Sequence, residues 1–405
     1  MTASLHDPLP LTNVVQRYAW GSTDAIPRLL GLEHDGGPQA ELWLGAHRSA
    51  PSRTQVLGSE VDLDTLVTEA PVQSLGHRVA EQFGPRLPYL LKVLAAGSAL
   101  SLQVHPSPRH AREGFARENK AGLPAGSPER SFHDDQHKPE MLVAITQFEG
   151  LSGFRSPRTI LELLDGLKGN LVDGVRDTLL RDRSHDGMRD AFHLLLSARA
   201  DPDCRADIEV TLDSVRERLT SGSPFARADQ TVVDLAEQHP GDPGAIASLM
   251  LNRFSLEPGE SLFTPAGEVH AYLSGVGIEI MASSDNVLRA GLTSKHVDTA
   301  ELLACVDYVA APPIRTAPEV FHGATRVFYA PVDDFELSVT DLTDDAVHPL
   351  PGRGPRTLVC LEGQITVTSE VDALTLARGD AAFVPSSEGR LSAQGAGVLI
   401  QADVP

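Results

Sequence analysis

The 405-residue sequence has no apolar run approaching the roughly 20 residues needed to cross a bilayer, which excludes a helical membrane protein. Its opening, MTASLHDPLPLTN, lacks the basic and apolar regions of a signal peptide. Cysteine is scarce: Cys204, Cys305 and Cys360 are odd in number and widely spaced, so neither a disulfide framework nor a zinc-finger pattern fits. Reduced thiols and a cytoplasmic location are expected. Positive charge is also in short supply. With 34 basic against 55 acidic residues the net charge is −21, which argues against nucleic acid or an anionic membrane as partner. A small phosphorylated ligand stays possible, because a few local cations can hold it.

Apolar residues make up 41% of the chain, enough for a sizeable core, and the length suits two or three domains. Both tryptophans fall in the first 60 residues. Trp43 reads as a core residue; Trp20, beside the loop residues Gly21 and Ser22, suits a pocket wall. Residues 61–84 have helical spacing, and Pro88–Leu94 reads as a buried strand with one lysine inside it, Lys92, placed to meet an anion. A long loop over 107–136 carries a short helix around Arg109–Glu118. From Ser156 to about Asn252 the pattern turns helical, with Ile160, Leu163, Leu164 and Leu167, then Ile208, Val210, Leu212, Val215 and Leu219, and breaks such as His239–Gly244 between helices. A further helix is expected over Val297–Val309, and residues 320–405 return to β-type alternation.

The chemistry concentrates in three places. In Leu100–Pro106 the residues Ser101, Gln103 and His105 share one strand face, opposite Leu100, Leu102 and Val104. Glu140 follows His137, Lys138 and Pro139 and precedes an apolar run; His133 and His137 are weaker candidates that suit either a supporting role or a polar loop. Gly259, five residues, Pro265, Ala266, Gly267, two residues and His270 form turn, strand, turn, with His270 opening the next strand and sharing a face with Tyr272. Singly, each histidine is more often a satisfied side chain than a ligand. Together, Gln103, His105, Glu140 and His270 predict a metal inside a β-barrel, with Zn²⁺, Fe²⁺ and Mn²⁺ all compatible with the donor types. Glu279, alternating with Ile278 and Ile280, is a general-base candidate whose pKa burial would raise. Arg289 and Lys295 follow as cations that spacing alone would equally place on an acid-paired surface. The turn pattern recurs at Gly379 to Pro385, where Ser386-Ser387-Glu388-Gly389 follows and no histidine falls at the corresponding place.

The fold expected is mainly β with an α-helical insertion: a metal-binding barrel from residues 1–155 and 253–318, helices over 156–252, and a second barrel without metal ligands over 319–405. The Gly–x5–Pro–x–Gly–x2–His block resembles half of the cupin signature, which makes the barrels jelly rolls. The ordered set YAWGS (Tyr18–Ser22), LLKVL (Leu90–Leu94), LSLQVHP (Leu100–Pro106), HKPEM (His137–Met141), HAYLSG and SSDNVLRAGLTSK resembles type I mannose-6-phosphate isomerases. That resemblance implies one zinc per chain on Gln103, His105, Glu140 and His270, and Arg289 as the active-site arginine. It places Lys92, Ser101, Lys138, Tyr272, Glu279, Asp285 and Lys295 around a sugar-phosphate pocket, Lys138 and Glu279 with catalytic parts. It also implies interconversion of mannose 6-phosphate and fructose 6-phosphate through an enediol(ate) by a monomer. The chain departs from the family at Phe132 and Gln136, where Tyr and Asn are usual. Two other readings fit the barrel: an iron- or manganese-dependent oxygenase of a small apolar substrate, against which Lys138, Arg289 and Lys295 count, and a non-catalytic sugar-phosphate sensor.

Overall fold

The computed structural model describes residues 8–405 except 296 and 345. Two large antiparallel sheets and a helical region make up the molecule. Across the first sheet run Ile314–Thr316, Ser261–Thr264, Glu140–Ala144, His270–Ala282, Tyr89–Ala96, Glu41–Leu44 and Val14–Gln16. The 13-residue strand His270–Ala282 organises it. Its C-terminal half pairs with Tyr89–Ala96 and Glu140–Ala144, while its first residues pair with Leu102–Val104 and Phe148–Phe154. One strand therefore belongs to both layers of the jelly roll. The turn between them is at Gly275, whose φ is 123°, and a Cβ there would lie 2.7 Å from the Gln147 carbonyl oxygen.

Alternation along Tyr89–Ala96 separates two jobs. Tyr89, Leu91, Val93 and Ala95 enter a core shared with Phe328, Leu337, Val359, Phe383 and Ile400 of the second sheet, whereas Leu90, Lys92 and Leu94 face the other way. The second sheet runs Leu9–Pro10, Ala381–Val384, Arg356–Thr368, Ser392–Asp403, Glu336–Leu342, Thr325–Tyr329 and Glu319–Phe321. Near its start, then, the chain crosses to the C-terminal sheet: Leu9 pairs with Phe383. The Tyr89 hydroxyl donates towards the carbonyls of Pro355 (3.0 Å) and Ala402 (3.2 Å), and His137 Nε2 lies 2.9 Å from Asp334 Oδ2, so polar contacts accompany the shared core. Tyr89→Phe should lower unfolding stability by about 1–2 kcal/mol, the cost of orphaned buried carbonyls. Denaturant titration measures this, and turnover should be unaffected.

The two Gly–x5–Pro segments build the same local structure. Gly259 (φ 86°) precedes the strand Ser261–Thr264, and Gly379 (φ 90°) precedes Ala381–Val384. After Pro385 a 3₁₀ turn, Ser386–Glu388, takes the place of the route to a histidine.

Helices occupy Pro157–Leu164, Asn170–Arg181, His185–Ser197, Cys204–Thr220 and Ala226–Gln238. Ser156 caps the first, its hydroxyl accepting from the Thr159 amide at 3.2 Å. Ile160, Leu163, Leu164, Ile208, Leu212 and Val215 are buried as their spacing predicts, but Val210, which is out of helical phase with Ile208, faces solvent. The helices pack against Leu102, Val104, Leu151, Ala271 and Leu288, the reverse face of the strands that carry Gln103 and His270. Leu100 parts from this set and joins the core around Tyr272. The helix expected around Arg109–Glu118 spans Pro108–Ala121, and that expected over Val297–Val309 is confined to Thr299–Cys305. Among the described residues no helix is long and apolar enough to cross a membrane.

Candidate metal centre and active site

Strand register assembles the centre. His270 faces Gln103 across one pair of strands, Gln103 faces Arg289 across the next, and Glu140 faces Met281 near the other end of the His270–Ala282 strand. His105 follows directly after the Leu102–Val104 strand, and its carbonyl accepts from the Gly267 amide at 2.9 Å, which docks the Pro-Ala-Gly turn onto it.

His105, Glu140 and His270 are buried, and their donor atoms all lie within 4.8 Å of one another. No other such histidine, cysteine or carboxylate group occurs among the described residues. The histidine Nδ1 atoms are tied to carbonyls, His105 to Asn286 O at 2.8 Å and His270 to Glu268 O at 3.0 Å. A carbonyl only accepts, so each Nδ1 carries a proton and each neutral ring turns its Nε2 lone pair inward. There His105 Nε2 stands 3.1 Å from Glu140 Oε1, and His270 Nε2 stands 3.4 Å from Glu140 Oε2. His105 Nε2 and Glu140 Oε2 have no hydrogen-bond partner. An imidazole nitrogen and a carboxylate oxygen left unpartnered beside a second imidazole nitrogen suit a cation. Burial pulls the His105 imidazole down to about 4. Burial acts to raise the Glu140 carboxyl, but His105 and Lys138 hold it well below the usual range, and for His270 the neighbouring Glu140 outweighs burial and raises it. Gln103 Nε2 is 3.2 Å from His270 Nε2, and a half-turn of the amide presents Oε1 there instead. Two imidazoles, a carboxylate and an amide oxygen suit zinc.

This centre lies at one side of a cavity of about 600 Å³. Gln103 and Glu140 reach its wall; His105 and His270 stay behind it. Around it stand Trp20, Lys92, Ser101, Lys138, Tyr272, Glu279, Asp285, Arg289 and Lys295, so the residues proposed from the sequence come together. A larger groove of about 1290 Å³, between the helix Pro71–Phe83 and the second sheet, has no metal-competent cluster.

The cavity's four cations divide into pairs. Lys92 is clamped by acids, 2.9 Å from Glu279 Oε2 and 3.6 Å from Glu41 Oε1, and lies 5.4 Å above the Trp43 ring. Burial works to lower its ammonium, but the two carboxylates raise it above the usual lysine value. Lys138 Nζ is 3.2 Å from Glu140 Oε1. Arg289 and Lys295 have no acid partner among the described residues; burial lowers both, and Lys295 lies over the Tyr18 ring at 5.8 Å. Burial raises the Glu279 carboxyl, with Lys92 opposing, and raises the Tyr272 phenol well above its usual value, its hydroxyl left without a hydrogen-bond partner. Asp285 sits at the rim, 3.5 Å from His47 Nε2.

Several functional neighbours escaped the sequence reading. Glu41 and Trp43 share a strand face, and Trp43 Nε1 donates to Glu41 Oε2 at 2.6 Å; an acid inside the apolar run Glu41-Leu42-Trp43-Leu44 was the available signal, the same one that marks Glu279. Trp43 is thus cavity wall as well as buried aromatic. Asn286, fully buried, holds His105 through its carbonyl while its side chain binds the carbonyls of Asp134 (2.9 Å) and Gln136 (2.8 Å) and the His133 amide (2.7 Å). Gln238 and His239, from the segment that reads as chemically silent, also line the cavity. Neither Phe132 nor Gln136 does. Phe132 packs under Gly114, and the Gln136 side chain accepts from Arg86 at 2.7 Å.

Comparisons with known proteins agree. Residues 9–157 match "Phosphomannose isomerase type I, catalytic domain", and residues 324–404 match "Mannose-6-phosphate isomerase, cupin domain". The chain is 38% identical to mannose-6-phosphate isomerase of Escherichia coli (strain K12), over 96% of this chain and 97% of that one. It is 34% identical to mannose-6-phosphate isomerase 1 of Arabidopsis thaliana, over 92% and 88%. A mutant of phosphomannose isomerase from Salmonella typhimurium superposes with a TM-score of 0.88 at 36% identity, covering 99% of this chain and all of the other. A zinc-bound mannose 6-phosphate isomerase superposes at 0.87, with the same identity and coverage. The chain belongs to the type I phosphomannose isomerase family.

Proposed function

We propose that this chain interconverts mannose 6-phosphate and fructose 6-phosphate, with one zinc ion held by Gln103, His105, Glu140 and His270. The observation that carries the reading is the buried convergence of His105 Nε2, His270 Nε2 and Glu140, with His105 Nε2 and Glu140 Oε2 left unpartnered, beside a cavity with two cations that lack acid partners among the described residues. Zinc there would supply Lewis acidity towards the sugar's oxygens.

The remaining work falls to side chains. Lys295 and Arg289 are the cations free to meet a phosphate or a developing oxyanion. Arg289, in register with Gln103, is assigned to the enediolate oxygen, and Lys295, further along the loop, to the phosphate. Ser101, Asp285 and Trp20 present hydroxyl, carboxylate and ring to the sugar. Lys138, held beside Glu140, is assigned proton delivery to the ring oxygen on opening. Glu279 is assigned the C2 proton of the open aldose. The electron pair of that C–H bond forms the C1–C2 double bond while the C1 carbonyl pair moves onto O1; passage of the O2 hydroxyl proton to O1 and delivery of a proton to C1, as the C=O bond forms at C2, complete the ketose. Lys92, fixed between Glu279 and Glu41, holds the base in place. All of these groups lie in one chain, so a monomer suffices.

Glu279 must be ionised to act, and its pKa is raised, so turnover should fall as pH drops through that raised value. Glu279→Gln should lower kcat by about 10²–10⁴-fold and abolish this acidic limb. Reaction in D₂O tests the proton-transfer step: product fructose 6-phosphate should carry deuterium at C1 to the extent that the protonated Glu279 exchanges with solvent before it returns a proton. Oxygen consumption during turnover would remove the enediolate reading.

A further inference from the structure

The turn His239–Gly244, a break between helices that the chemistry above leaves unused, sits against the loop that runs from the Arg289 strand to Lys295. Asp242 is 9% exposed and its carboxylate is fully engaged. Oδ1 accepts from the Gly244 amide at 2.8 Å, and Oδ2 accepts from Arg199 Nη1 at 2.9 Å and from the Thr293 amide at 3.3 Å. Arg199 then uses its other guanidinium nitrogen to donate to the Thr293 carbonyl. Both backbone groups of Thr293 are therefore held by one ion pair that belongs entirely to the helical region.

The loop is held in an unfavourable shape. Leu292, between Gly291 and Thr293, is buried with φ of 52°, a left-handed conformation that costs a branched residue energy and persists only where its surroundings impose it. Those surroundings are the same turn. A Cβ on Gly244 would come 3.0 Å from the Leu292 amide nitrogen, and one on Gly291 would come 3.1 Å from Asp242 Oδ1. The hold passes on to Lys295, whose amide donates to Thr293 Oγ1 at 3.1 Å. Also at the cavity wall, Gln238 Oε1 accepts from the Ala99 amide at 2.9 Å, two residues before Ser101.

We infer that Arg199 and Asp242 are positioning residues: their ion pair fixes the Gly291–Lys295 loop, and so sets where Lys295 stands against the phosphorylated end of the substrate. Neither touches the cavity itself. The helical region thus acts as a template for the phosphate side of the site, in addition to backing the metal strands. The kinetic part of this inference rests on the proposed isomerase function; the structural part does not.

The test uses the full zinc-loaded chain with Arg199→Ala, Asp242→Asn and the double variant. Amide hydrogen exchange at Thr293 should accelerate at least about tenfold in each, and KM for mannose 6-phosphate should rise about tenfold, the equivalent of one charge-assisted hydrogen bond. Zinc should stay at one per chain. Because the two residues act as one unit, the double variant should be no worse than the worse single variant. Arg199→Lys, which can reach Asp242 or the Thr293 carbonyl but lacks the fork to hold both, should recover only part of the loss. Arg199 is one-third exposed, so its variants keep the test open if Asp242→Asn does not fold. Unchanged exchange and KM would overturn the inference, as would activity lost solely in proportion to lost zinc or lost folded protein. If the unaltered chain failed to convert mannose 6-phosphate, the isomerase reading would fall, and exchange at Thr293 would still decide the clamp.

Discussion

His270→Ala should lose its zinc on dialysis and, assayed without added metal, should turn over on the order of 10³-fold more slowly than the unaltered chain. The size follows from a Lewis acid contributing several kcal/mol at about 1.4 kcal/mol per tenfold. The loss cannot be repaired locally. His270 is fully buried, its Nδ1 is committed to the Glu268 carbonyl, and its Nε2 is one of three donors set around one point. Replacing it leaves Glu140 with His105 and Lys138 and opens a void beside Tyr272, whose ring centroid is 6.0 Å from that of His270. Zinc per chain by elemental analysis and initial rates on the same sample check both halves. Full zinc retention in His270→Ala and Gln103→Ala together would show that the ligands lie elsewhere.

Arg289→Ala is the second large effect expected, a fall of about 10²–10³-fold in kcat with KM changed by less than about threefold. The argument rests on which cations are already engaged. Lys92 answers to Glu279 and Glu41, and Lys138 to Glu140, so neither can take up new negative charge without surrendering a partner. Arg289 has no acid partner among the described residues, is half buried, and faces Gln103 across a strand pair. A donor that gains its counter-charge only as the enediolate forms stabilises the transition state more than the ground state. Full kinetics on zinc-replete Arg289→Ala separates the two. Equal losses in kcat and in affinity would instead place the guanidinium on the phosphate with Lys295.

The contrast between the two turn repeats explains how far the sequence could be read. Spacing of glycine, proline and alternating apolar residues predicts the strands Ser261–Thr264 and Ala381–Val384 and the start of the strand at His270, because turn chemistry and period-2 alternation are local. The candidate metal donors could be picked out for the same reason: Gln103 and His105 share a face by alternation, and His270 opens a strand. What local pattern does not carry is which distant segments meet. Nothing in Leu9–Pro10 announces a partner at Phe383, and Gln238 and Asp242 look like ordinary helix-end and turn residues until the loop at Thr293 is brought against them. Glu41 was within reach, since an acid in a buried strand needs a cation, and Lys92 lies on the neighbouring strand. Asn286 was not, because its side chain satisfies loop carbonyls whose positions only the folded chain defines.

The most direct test of the account is conversion of mannose 6-phosphate to fructose 6-phosphate by the purified chain, followed before chelation, after removal of metal, and after stoichiometric zinc is returned. Turnover that disappears with the metal and comes back at one zinc per chain is the predicted result. A folded, zinc-loaded chain that binds mannose 6-phosphate and leaves it unchanged would contradict the account.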